Sequence, residues 1–224
     1  MAKVTKQTPA RASAVEHPSA PMGQREKNKV DKLRRIKDAT HQLFTTRGFD
    51  ETTTREIALR AEVGLGTVFT YADNKRDLLF LVANDDLEEA TVKARSGITP
   101  GRSLSEALIG IFRPHYAFFA RQPALSRLML REMTFYDSGT QAARFKTIRE
   151  NLLALIRHVV QLAKEEGSIA SPRKEDEIAW VMFCIYQVEL RRWLVGEKPS
   201  VARGLTALRA SLDLCIEGLS PRRA

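Results

Sequence analysis

Within the stretch from Thr53 to Lys75 the chain carries two helix starts, a tight turn and a third helix cap, and this crowding constrains the fold more than any other feature. Thr53-Thr54-Arg55-Glu56 is a capping-box pattern, in which the Thr53 hydroxyl and the Glu56 carboxylate each satisfy a backbone N–H that the first helical turn leaves without a partner. The helix opened there runs to Ala61. A brief turn through Glu62 and Gly64 leads to a second short helix over Leu65 to Tyr71, and Asn74 caps a long helix beginning at Lys75. Helices this short cannot stand alone, because nucleation is costly and their stability must come from packing. The preceding segment supplies the platform. From Asn28 onward Leu33, Ile36, Ala39 or Thr40, Leu43 and Phe44 form one apolar stripe at three- and four-residue spacing. Gly48 ends it, since a glycine there can take the left-handed cap conformation while Phe49 folds back on the last turn. The expected product is a trihelical unit with helix-turn-helix geometry, whose second short helix is shaped to enter a DNA major groove.

The rest of the chain reads as helix throughout, with no strand-like alternation, so the expected fold class is all-α with about nine helices. Ser103 and Glu106 form a second capping box, opening a stripe of Leu104, Leu108, Ile111, Phe112 and Phe119 with Pro114 as a kink; Pro123 starts the next helix. A longer helix is predicted from Thr140 to Glu166 on Phe145, Ile148, Leu152, Leu155, Ile156 and Val159, and Gly167 stops it. Ser171-Pro172 is read as opening a helix that ends near Gly196, and Pro199 or Ser200 as opening the last, to Gly218. Residues 1–27 have few large apolar side chains and are read as a flexible basic tail, 28–74 as the DNA-binding unit, and 75–224 as a larger effector-binding and dimerisation domain.

Charge points the same way. Lysine and arginine number 36 against 27 acidic residues, a net charge of +9, and a basic surface gains by releasing the counterions condensed on a phosphate backbone. Much of the excess lies near the N-terminus. An anionic membrane would attract the same charge, but no apolar run approaches the roughly 20 residues of a membrane span, and no secretory signal is apparent. A cytoplasmic protein without a membrane partner is expected. The two cysteines, Cys184 and Cys215, sit in apolar helical stretches and read as core thiols of a reducing compartment. The four histidines are dispersed, and the sequence contains no nucleophile elbow, phosphate-cradling loop or cysteine-histidine cluster. No enzymatic activity, cofactor or metal is expected.

The residues of the N-terminal unit resemble the tetracycline-repressor (TetR) family of bacterial regulators. The resemblance is carried by Arg35-Ile36 through Leu43-Phe44, Arg47-Gly48-Phe49, Thr53-Thr54-Arg55-Glu56-Ile57-Ala58, the run from Ala61 to Tyr71, and Asn74-Lys75. It implies a DNA-binding head, a divergent helical body that encloses a small-molecule effector, and a homodimer formed by the last two helices. Glu62 departs from the family pattern where a glycine is frequent, and Ala72 where an aromatic is. If the turn needs a left-handed backbone at Glu62, that residue is strained.

Roles follow from side-chain chemistry. Ile57, Ala58, Val63 and Val68 should bury against the first helix. Thr53 and Thr54 stand at a helix N-terminus, where amides and hydroxyls can meet phosphate, and Arg55 can reach a guanine edge bidentately. Leu65 and Gly66 offer thymine-methyl contact and close backbone approach. Thr67, Phe69, Thr70 and Tyr71 are further contact candidates, and the resemblance assigns Tyr71 and Lys75 to phosphate. The expected partner is double-stranded operator DNA, read as a pseudopalindrome by a homodimer.

In the body, Phe112, His115, Tyr116, Phe119, Met129, Met133, Trp180 and Phe183 form an aromatic and methionine-rich set suited to a small apolar effector. Ile185, Trp193, Leu205, Leu208, Leu212 and Ile216 are the candidate dimer contacts. A repressor released by an effector is the leading functional expectation; an activator of the same fold and a helical adaptor are the alternatives.

Overall fold

The computed structural model describes residues 23–99, 101–196 and 198–219; positions 1–22 of the expected tail lie outside the described residues. The helices are α1 (Gln24–Thr46), α2 (Thr54–Arg60), α3 (Leu65–Phe69), α4 (Lys75–Arg95), α5 (Leu104–Arg121), α6 (Pro123–Glu132), α7 (Ala142–Glu165), α8 (Glu175–Trp193) and α9 (Val201–Leu219), with a 3-10 turn at Met133–Phe135. No strand occurs among the described residues. The all-α expectation is met.

Most boundaries follow the local signals. Both capping boxes form: Thr53 accepts from the Glu56 N–H while the Glu56 carboxylate accepts from the Thr53 N–H, and Ser103 and Glu106 do the same. Asn74 accepts from the Asp77 N–H at 2.9 Å. Gly48 has φ +95°, the left-handed value that a helix stop needs. Two boundaries differ from expectation. Helix α1 begins at Gln24, so residues 24–27 are helical rather than tail; Gln24, Arg25, Glu26 and Lys27 are good helix formers, and Gln24 also donates to Asn28 at 3.0 Å. Helix α8 begins at Glu175 rather than behind Ser171-Pro172. There the Lys174 N–H donates to the Glu177 carboxylate at 3.0 Å, and Glu175, Asp176 and Glu177 lie on the positive end of the helix dipole. Helix α5 runs on through Pro114 without a break.

Helices α1–α3 make a small head, and α4 carries on from it into the body. Helix α4 packs on α5 and α7, α5 packs on α9, and α8 bridges α7 and α9. The body core is built on Leu78, Leu79, Phe80, Leu108, Ile111, Phe112, Tyr116, Ile156, Met182, Tyr186, Leu208 and Leu212, all buried. Phe112 and Tyr186 stack with ring centroids 4.3 Å apart, as Phe80 and Tyr136 do at 3.9 Å.

A polar seam ties head to body where α4 begins. Asp77 is wholly buried, and its carboxylate accepts from the Asp73 N–H at 2.9 Å, the Gln141 N–H at 2.8 Å and the Tyr136 hydroxyl. A buried carboxylate is tolerable only with its lone pairs satisfied in this way. Gly139 has φ +122°, and a Cβ there would lie 2.6 Å from Asp77 Oδ1, so the loop can approach only as glycine. Thr140 donates to Asp73 through both its N–H and its hydroxyl, at 3.0 and 2.8 Å. Gln141 donates to the Tyr71 carbonyl at 3.0 Å, directly behind α3.

Candidate nucleic-acid interface and inner cavity

One face of the α2–α3 pair is fixed by burial. Ile57 and Val68 are wholly buried and Ala58 nearly so, against Ile36, Ala39 and Phe44 of α1. Their inward orientation decides what points out. Thr53, Arg55, Gly66, Phe69 and Thr70 are exposed, while Thr54, Leu65, Thr67, Tyr71 and Lys75 are half-buried. Phe69, 44% exposed, is therefore no core aromatic. Val63, expected inside, is only half-buried at the turn.

The outward residues differ in how far the protein already engages them. Arg55 makes no hydrogen bond or ion pair among the described residues, and its five donors are free for a base edge. Neighbouring arginines are engaged: Arg47 pairs with Glu56 at 2.5 Å, and Arg60 donates to Gln42 at 2.8 Å. The Thr53 amide and hydroxyl, with Arg47 nearby, hold the Glu56 carboxyl below the usual carboxylate range. Tyr71 donates to the Lys29 carbonyl at 3.4 Å, and Thr70 to the Gly66 carbonyl at 3.1 Å. The Lys75 ammonium donates to the Asp50 carbonyl at 3.1 Å and lies 4.6 Å from the centre of the Phe49 ring. Lys75 is thus also a brace between α4 and the loop that follows α1.

The structure adds basic residues to this face. Arg25, Asn28, Lys29 and Lys32, spread over about two turns of α1, line a shallow hollow of about 290 Å³ with Thr67, Thr70 and Tyr71. The three cations are exposed beside the recognition helix, where a phosphate backbone would run. Their three- and four-residue spacing was visible in the sequence; that they share a hollow with α3 was not.

The α2–α3 turn is strained, as the departure at Glu62 implied. Glu62 has φ +54°, the single left-handed non-glycine among the described residues. Arg35 braces the turn, donating to the Ala61 and Glu62 carbonyls at 3.0 and 3.2 Å while its Nε lies 3.1 Å from Asp31.

Within the body lies a cavity of about 410 Å³ between α5, α7 and α8, a size usual for small-molecule sites. His115, Phe119, Met133, Trp180 and Phe183 line it, together with residues that sequence reasoning missed: Leu87, Thr134, Phe145, Ile148, Arg149, Leu152, Cys184, Tyr186, Gln187, Val188 and Arg191. Phe112, Tyr116 and Met129 do not reach it; they are buried in the surrounding core. Trp180 stands 53% exposed at the rim. Cys184 is exposed beside it rather than a core thiol, and Cys215 is half-buried. On the floor, His115 contacts Thr91 Oγ1 at 3.1 Å and the Ile111 carbonyl at 3.3 Å. Burial lowers its pKa to about 4, so the ring is neutral at physiological pH.

The dimer candidates divide. Leu205, Leu208 and Leu212 face inward and are buried in the protomer's own core, so they are removed from the candidate interface. Trp193 packs on Tyr116 at 4.7 Å and donates to the Ser200 carbonyl at 2.8 Å. Ile185 and Ile216 are half-buried. The outward apolar residues are instead Trp180, Val181, Cys184 and Val188 of α8 and Ala207, Ala210 and Leu214 of α9. Among the described residues no helix is long and apolar enough to cross a membrane, and no cluster of acidic, histidine and cysteine side chains could hold a metal ion.

Comparison with known proteins agrees with this geometry. The chain is 25% identical over 175 residues to the HTH-type transcriptional regulator YhgD of Bacillus subtilis, covering 76% of this chain and 88% of that one. It is 24% identical over 166 residues to the HTH-type transcriptional repressor BepR of Brucella suis, covering 71% and 79%. Among solved structures, the TetR-family repressor FadR of Thermus thermophilus, in complex with lauroyl-CoA, superposes with a TM-score of 0.64 at 28% identity, covering 86% of this chain and 97% of that one. Residues 36–82, which span the α2–α3 pair and parts of its flanking helices, match the bacterial regulatory proteins of the tetR family, the family that this N-terminal unit resembles in sequence.

Proposed function

We propose that this protein is a dimeric repressor that grips a palindromic operator through α3 and lets go when a small molecule fills the inner cavity. The observation that carries the reading is the outward face of α2–α3: Arg55 unengaged and Gly66, Phe69 and Thr70 exposed, on a pair locked by buried Ile57 and Val68. Leu65, Thr67 and Tyr71 flank that surface, with Thr53 and Thr54 at the helix start and Lys75 bracing it. A repressor relative, BepR, favours repression over activation. The lauroyl-CoA in the FadR structure supports a small-molecule effector for a body of this architecture. Nothing in the described side chains favours catalysis over regulation, and the regulator is read as working without a cofactor.

The coupling route runs through the polar seam. Met133 and Thr134 of the 3-10 turn and Phe145 and Ile148 of α7 line the cavity, and the loop between them supplies Tyr136, Thr140 and Gln141 to Asp77, Asp73 and the Tyr71 carbonyl. A ligand that shifts this loop shifts the end of α3. The ligand acts only in so far as it binds the released arrangement more tightly. Dimerisation is assigned to the outer faces of α8 and α9, where Val181, Val188 and Leu214 are exposed apolar residues.

The test is a gel-shift titration on DNA upstream of the protein's own coding region in the presence of random competitor. A regulator binds that DNA selectively and with two subunits per site. Binding equal to that on random sequence would sink the reading.

A further inference from the structure

The inner cavity is polarised. Its floor is apolar: Leu87, Phe119, Phe183 and Tyr186 are nearly wholly buried, Phe145 and Ile148 are buried beside them, and His115 is neutral. Its rim carries two guanidinium groups, the exposed Arg149 of α7 and the half-buried Arg191 of α8, with Thr134 and Gln187 between floor and solvent. Not one lining residue is an aspartate or glutamate. Arg149 has no hydrogen bond or ion pair among the described residues, and Arg191 donates only within its own helix, to the Gln187 carbonyl and side chain at 2.8 and 2.7 Å. Some other arginines of the body meet carboxylates, as Arg144 does with Asp85 and Glu88 and Arg121 with Asp86. The half-buried Arg191, partly desolvated and without a counter-charge, carries a cost that a ligand anion would offset through charge-assisted, bidentate hydrogen bonds, and the exposed Arg149 is a second free donor on the same rim. The surface groove that continues from Thr134 and Arg191 adds Arg127, which donates to the Leu194 and Gly196 carbonyls, and Arg131, already paired with Asp50 and Glu132.

From this we infer that the cavity takes an amphipathic anion, its apolar chain lying among Phe119, Ile148 and Phe183 and its charged head held by Arg149 and Arg191. The inference rests on the reading of the cavity as the effector site and narrows that effector to one chemical class. Uncharged molecules of the same apolar size forgo the charge-assisted bonds to both guanidiniums, and cationic ones are repelled by them. The anionic head can be a carboxylate or a phosphate, as both match the arginine fork.

Trp180 on the rim reports occupancy. In the Trp193→Phe protein it is the sole tryptophan, and its fluorescence is titrated with dodecanoate, dodecyl phosphate and the uncharged dodecanol. The expected result is binding at least tenfold tighter for one or both anions than for dodecanol, with the tighter anion identifying the head. Each methylene removed from the chain should weaken binding about fourfold. In the Arg149→Gln/Arg191→Gln variant the preference for the anion should vanish while dodecanol binds as before, which separates loss of charge recognition from loss of folding. Equal binding of all three compounds, no binding of any, or a preference that survives the double substitution would overturn the inference. An anion that binds in this way but leaves operator affinity unchanged sustains the ligand class and refutes the effector role, so the two readings fail separately.

Discussion

The head and the body build their sites in opposite directions. Helices α1–α3 bury a small set of side chains, chiefly Ile36, Phe44, Ile57 and Val68, so that α3 faces outward. Helices α4–α9 bury a far larger set and leave a hollow between α5, α7 and α8. In the head the site is whatever the core does not use. In the body it is a gap within the packing, and each wall comes from a different part of the chain. The difference teaches that a surface site is fixed by local signals, whereas an interior site is fixed by tertiary contacts.

The largest effect expected falls on the head, whose few core contacts leave little reserve. Ile57→Ala should cost about 2–5 kcal/mol by removing a wholly buried side chain and leaving a cavity. Proton exchange resolved by residue should show α2 and α3 opening while α5 and α8 stay protected. Uniform loss across both regions would erase the proposed contrast.

In the body, His115 makes stability pH-dependent. Its pKa is about 4 in the folded state against 6.5 when free. As pH falls through that window the unfolded chain binds a proton that the folded chain refuses, so stability drops with falling pH, by up to about 3 kcal/mol at the bottom of the window. Above about pH 6.5 His115 adds no pH dependence. Denaturant midpoints measured from pH 7 to 4 should show a steeper fall for the native protein than for His115→Gln; parallel curves would mean that the floor is wetter than described.

Arg55→Ala should weaken specific DNA binding by roughly 1–3 kcal/mol with random-sequence affinity nearly unchanged. Equal losses on both would move Arg55 from a base edge to the phosphates. The smallest effect is a gain. Glu62→Gly should stabilise the head by about 1 kcal/mol by relieving the left-handed strain at φ +54°, the exposed Arg35–Glu62 ion pair at 3.7 Å contributing little. Glu62→Ala, which keeps a Cβ, should show no such gain in thermal melts.

How much could be read in advance follows the same divide. The Thr53 box, the Asn74 cap and the Gly48 stop each involve neighbours in sequence, and the structure has all three. Glu62 was legible too, because the strain belongs to the residue's own backbone. Asp77 was not: Tyr136, which buries it, lies 59 positions away. Nor were Arg149 and Arg191, far apart in the sequence, which α7 and α8 set on one rim. Leu205, Leu208 and Leu212 show a third kind of limit. A periodic stripe reveals that a helix has an apolar face, but not whether that face meets its own core or a second copy.

The central claim is that α3 presents its outer face to a duplex, twice, from one dimer. Hydroxyl-radical footprinting of the bound upstream DNA tests it most directly. The account predicts two protected tracts on one side of the duplex, centred roughly 34 Å or a small multiple apart, both lost in Gly66→Glu while the protein remains folded. A single tract, or protection that survives Gly66→Glu, would contradict it.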